Sequence, residues 1–162
     1  MPPASPAQRV ILATEAMNEV HIVCGIAAIA SNALAGCWGA WAWWRAVPSP
    51  SFWRVLRASQ VAVVVEAIAG GIFYLTHRHV PGLHVLYGVL PLAVSFIAEG
   101  LRATSAQLVL DKHGHASAQE VGRLAPDEQR AVVVEIVRRE IGVMTLSALV
   151  IVGLLARAAG TG

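Results

Sequence analysis

Lysine is nearly missing from this chain: Lys112 is the only one in 162 residues. Charged residues make up 14% of the sequence, where a soluble domain carries about a quarter. So few charges argue against a water-solvated surface all round. The formal net charge is only +2, and no basic patch interleaved with aromatics is present, which argues against a nucleic-acid partner. Cysteine is scarce too. Cys24 and Cys37 lie thirteen residues apart in one apolar run, roughly 20 Å along a helix. They cannot pair with each other, and their spacing is not that of a metal site; both are expected to be small buried apolar residues. There is no nucleophile motif, phosphate loop or paired-carboxylate site, so an enzyme is not the favoured class. The N-terminus lacks the basic start, short apolar core and cleavage site of a signal peptide.

What remains is apolar residues, 56% of the chain. They fall into four runs near the roughly 20 residues a membrane helix needs: about Val20–Trp44, Ala58–Thr76, Leu83–Leu101 and Ile141–Ala156. The first ends in Trp38, Trp41, Trp43, Trp44 and Arg45, an interfacial anchor. Pro48 and Pro50 break the chain, and Phe52–Arg57 is expected at the interface. The third helix is expected to continue to Leu110. Residues 111–126 form the long loop. Pro126, Asp127 and Glu128 then read as a helix start, with proline in the first turn and acids at the positive end of the dipole. Short connections make neighbouring spans antiparallel. The expected fold is all-α: a single-domain, integral membrane up-down four-helix bundle spanning residues 1–162.

Nine of the Lys and Arg residues lie on the side of the 1–2 and 3–4 loops, and three on the other. This bias puts those loops in the cytoplasm and both termini outside. The Ala-, Val-, Arg- and Gly-rich composition suggests a GC-rich bacterial source, hence the inner membrane.

Each span carries one stripe of small or polar residues at spacings of three and four, which share a helix face. The stripes are His21, Gly25, Ala28, Asn32 and Gly36; Ser59, Val63, Glu66, Gly70, Phe73 and His77; His84, Gly88, Pro91, Ser95, Glu99 and Arg102; and Glu135, Arg138, Gly142, Thr145 and Leu149. They are expected to line the bundle interior. A bare charge at Glu66 would cost several kcal/mol in hydrocarbon. It must be neutral, paired or in a wet cavity: either hydrogen-bonded to another helix, for instance at Asn32, or serving as a proton-relay or cofactor contact. Glu99 and Arg102 read as a local ion pair.

His21 and His84 open spans 1 and 3 on the same side, and each is followed four residues later by glycine, Gly25 and Gly88. Gly36 and Gly100 extend the echo, a weak two-plus-two repeat. Two imidazoles at one depth on different helices are what a b-type haem needs. A glycine one turn away would clear space for the macrocycle, and propionates would reach Arg78, the following turn or water. The alternative is a pair of interfacial histidines capping helix starts.

The run Val65–Ile72 followed by Gly82-Leu83-His84 resembles the haem A synthase family, where an apolar helix with a Gln-x-x-x-Gly motif leads through a short outward loop to a helix that starts with a haem-ligating histidine. Glu19-Val20-His21 with Gly25 is similar to that family's preceding Glu-and-His helix. The resemblance covers spans 1 to 3 and implies His21 and His84 as the axial pair of one four-helix half.

Two further groups qualify as metal ligands: His77 and His79 with His84, and His113 and His115 near Asp111. Three functions remain: a small b-type cytochrome moving electrons or handling haem; a haem-free structural or accessory subunit packed against a larger, respiratory-type membrane complex; and a proton-coupled transporter element using Glu66, whose four spans would need a second copy of the chain.

Overall fold

A computed structural model of the chain describes residues 5–76 and 80–161. Its elements are α1 (Pro6–Arg45), α2 (Pro50–Thr76), α3 (Gly82–Lys112), the single turn α4 (Ala118–Val121) and α5 (Pro126–Ala159). No strand occurs among the described residues. The four long helices are each long and apolar enough to cross a membrane.

The helix ends follow from the sequence. Ser5 and Gln8 form a capping box, each side chain bonding the other's backbone N–H, with Pro6 at the first helical position. α1 stops where Ala46 turns left-handed, at φ 50°. Proline again occupies the first turn of α5, followed by Asp127 and Glu128.

Two boundaries differ from expectation. α1 begins at Pro6, so its 40 residues extend about 60 Å, twice a typical hydrocarbon core of about 30 Å. His21 therefore lies well inside a helix rather than at its start. Phe52–Arg57, expected ahead of the second span, belongs to the opening of α2. Pro50 is its first residue, which costs no hydrogen bond there, and Phe52 and Leu56 are fully buried.

α1 packs on α2 and α5, and α5 packs on α3, whereas α2 and α3 touch far less. The α1–α2 register is continuous. Gly39 faces Phe52, Asn32 faces Ser59, Gly25 faces Glu66 and Gly70 faces His21. α5 runs antiparallel to α1 through Trp43–Gly142, Gly39–Thr145 and Gly36–Leu149. These glycines are needed for close approach: a Cβ at Gly39 would lie 2.2 Å from Thr145 Oγ1, and one at Gly36 2.5 Å from Leu149 Cδ2.

The core has three parts. One, near the α1–α2 turn, joins Ala35, Ala42, Phe52, Leu56, Ile141 and Met144. A second, at mid-bundle, joins Ala28, Val63, Ile151 and Leu155. A third lies between the far ends of α3 and α5, where Val121 of α4 covers Val109, Leu110 and Val132. The stripes on α1, α2 (Ser59 to Phe73) and α3 do face inward. The α5 stripe is corrected: Gly142 and Thr145 are buried, but Arg138 and Leu149 are exposed. α5 lies between α1 and α3, so its buried face is broad and includes Ile141, Met144, Ala148, Ile151 and Leu155. The cysteines are corrected as well, since Cys37 is exposed and Cys24 only partly covered. Trp41 and Trp44 are exposed, while Trp43 turns in against Gly142.

Candidate functional site

At the end of the bundle away from the α1–α2 turn, the helices enclose a cavity of about 770 Å³. This is within the usual range for small-molecule and cofactor sites, about 300–1,000 Å³. α1 contributes His21 and Ile22, α2 Glu66 and Phe73, α3 His84, and α5 Leu155. The lining is mostly apolar, with its titratable groups gathered together. The scant contact between α2 and α3 leaves that side of the cavity thinly walled.

The two histidines expected to act together do meet here. Their ring centres are 5.8 Å apart and their planes are inclined at 71°. Each belongs to the first helix of an antiparallel pair and is held by the second. His21 stacks on Phe73 of α2, with centres 5.7 Å apart and planes 15° from parallel. Its Nδ1 lies 3.2 Å from Glu66 Oε1. His84 Nδ1 lies 2.9 Å from the Ala158 carbonyl of α5, which also accepts from the Thr161 N–H and hydroxyl just past the helix end. Neither histidine caps a helix: His21 is interior to α1, and the N-cap of α3 is Pro81.

Glu66 pairs with His21 rather than with Asn32. Asn32 is buried about two turns beyond Gly25 towards the α1–α2 connection, where its amide donates to the Ala28 and Ser59 carbonyls. The Glu66–His21 contact is close but off the line of a hydrogen bond. His21 Nδ1 and Glu66 Oε2 are buried atoms without hydrogen-bond partners among the described residues. An unsatisfied buried polar group costs about 1–3 kcal/mol; Thr145 Oγ1, against Gly39 and away from the cavity, is a third such atom.

The glycines after the histidines have different surroundings. A Cβ at Gly25 would come within 3.2 Å of Glu66 Oε1, so Gly25 makes room for the carboxyl group. A Cβ at Gly88 would meet nothing within 4 Å, because Gly88 faces the open cavity. Gly70, one turn beyond Glu66, makes room for the His21 ring, whose Cε1 would be 3.2 Å from a Cβ there. Sequence reasoning placed Gly70 on the inner stripe without this role; its signal is the spacing Glu66–Gly70, which repeats His21–Gly25.

His77, Arg78 and His79 lie outside the described residues. His113 and His115 stack, with centres 6.4 Å apart, but His113 Nε2 contacts Glu135 Oε2 at 2.9 Å and Lys112 contacts the same carboxylate. No group of three or more His, Cys, Asp or Glu residues is placed to hold a metal ion among the described residues. Glu99 pairs with Arg102, as expected, and also with Arg57 and Gln60 of α2, clamping α2 to α3 at the end away from the cavity.

Comparison with family models, curated proteins and solved structures finds no match.

Proposed function

We propose that this chain is a multi-pass membrane protein that holds a b-type haem between His21 and His84. The facing imidazoles in an apolar cavity carry this reading. Two imidazole nitrogens on one metal are roughly 4 Å apart, at about 2 Å per bond, a separation compatible with ring centres 5.8 Å apart. His84 already has its Nδ1 engaged by a backbone carbonyl, an arrangement that leaves Nε2 free for a metal. Ile22, Val85, Val89 and Leu155 offer the apolar walls a macrocycle needs, and the Gly88 side is open.

A bound haem would supply one-electron chemistry or be cargo in transit. The chain's own residues contribute the rest. His21 and His84 bind, Phe73 keeps the His21 ring upright, and the apolar walls exclude water. The charge bias puts the cavity end at the outer face of a bacterial inner membrane, with the 1–2 and 3–4 loops in the cytoplasm. Ile26, Val61, Phe96 and Leu146, all more than half exposed, suit contact with lipid.

Purified protein supplied with hemin should show a Soret band, with sharp α and β bands on reduction. A preparation that stays colourless despite ample hemin refutes the assignment.

A further inference from the structure

The two histidines are anchored by chemically unlike groups, and the anchoring of His21 is the more constrained. Glu66 and His21 face each other across α1 and α2 at 3.2 Å, and each overlies the other helix's glycine. The Glu66 carboxyl fills the space above Gly25, and the His21 ring fills the space above Gly70. A side chain as small as alanine at either glycine would press on the opposite polar group at 3.2 Å. The register that continues from the α1–α2 turn brings both contacts about together.

We infer, resting on the haem assignment, that Glu66 is the positioning residue for His21, so that one axial imidazole is oriented by a carboxyl group and the other by the Ala158 carbonyl. A ring nitrogen facing an acceptor carries the proton, and the opposite nitrogen becomes the ligand. Glu66 opposite Nδ1 therefore presents Nε2 to the cavity, and the Ala158 carbonyl does the same for His84. Phe73, stacked on His21, limits sideways movement of the ring but offers Nδ1 no acceptor; Glu66 Oε1, 3.2 Å away though not aligned as a hydrogen bond, is the acceptor within reach. Removal of such outer partners typically weakens metal binding by 10- to 100-fold.

The test is a hemin titration of full-length protein in detergent, with ferric EPR, on the wild type and on Glu66→Gln, Glu66→Leu and Gly25→Ala. The EPR signal of a bis-imidazole haem reports the angle between the ligand planes. Glu66→Gln keeps an acceptor oxygen and should retain wild-type affinity and signal. Glu66→Leu should bind hemin about 10- to 100-fold more weakly and shift or broaden the signal. Gly25→Ala displaces the carboxyl group without removing it and should shift the signal in the same direction. Wild-type affinity and EPR in both Glu66→Leu and Gly25→Ala overturn the inference while leaving the haem assignment standing. If the wild type takes up no hemin, the haem assignment fails, and nitrogen NMR of the His21 ring decides the positioning role in the haem-free protein. A proton on Nδ1 in the wild type and Glu66→Gln that moves in Glu66→Leu upholds it; one tautomer in all three overturns it.

Discussion

Gly88→Leu separates the cavity from the fold. A Cβ at Gly88 meets nothing within 4 Å, and the residue lines the cavity. A Cβ there overpacks nothing, and the cavity is where the rest of a leucine side chain would go. Replacing a mid-helix glycine should stabilise the helix by roughly 0.5–1 kcal/mol. A leucine side chain in the cavity would instead collide with a bound macrocycle. Overpacking of that kind costs about 1–3 kcal/mol, or about 5- to 150-fold in affinity at 1.4 kcal/mol per tenfold. The assay is a hemin titration paired with thermal unfolding of the haem-free protein in the same detergent. Expected is an unchanged or raised Tm with weaker hemin binding. Undiminished hemin affinity would show that the cavity beside Gly88 is not the site, and a large fall in Tm would show that the open space is misplaced.

Gly39→Ala is the converse. Its Cβ would lie 2.2 Å from Thr145 Oγ1 and 2.6 Å from Phe52 Cε2, so unfolding should be easier by at least about 1–3 kcal/mol, measured as a lowered Tm. Asn32→Leu removes the donor to the Ser59 carbonyl and should cost about 1 kcal/mol, the scale of interhelical bonds in membranes, with hemin binding retained. Glu99→Gln should weaken the clamp between α2 and α3 by about 1 kcal/mol, since its partners Arg57 and Arg102 are partly solvated. Detergent-unfolding curves check both, and no change in the midpoint for Glu99→Gln would mean that the clamp is electrostatically idle.

Hydropathy made the helices legible, because backbone in hydrocarbon must satisfy itself within each span. The extension of α1 back to Pro6 was not visible by that measure, since residues 6–19 mix charged and apolar positions. The start of α2 and the burial of Phe52 and Leu56 were not legible, because two prolines and two arginines obscured a helix start that Pro50 itself marks. The α5 face was drawn too narrow: a stripe of spacing three and four assumes one neighbour, and α5 has two. The histidine pair was legible from matched spacing. The Glu66–His21 contact was not, though its signal was present. With the turn at residues 46–49, each step back along α1 is a step forward along α2, which pairs Asn32 with Ser59 and Gly25 with Glu66.

The central claim is that one b-type haem binds between His21 and His84. Haem content per chain and the reduced optical spectrum, measured on the wild type, His21→Ala and His84→Ala, test it most directly. Expected is one low-spin haem per wild-type chain, with the low-spin spectrum lost in each variant. A wild type that binds no haem, or a variant that keeps the full low-spin spectrum, contradicts it.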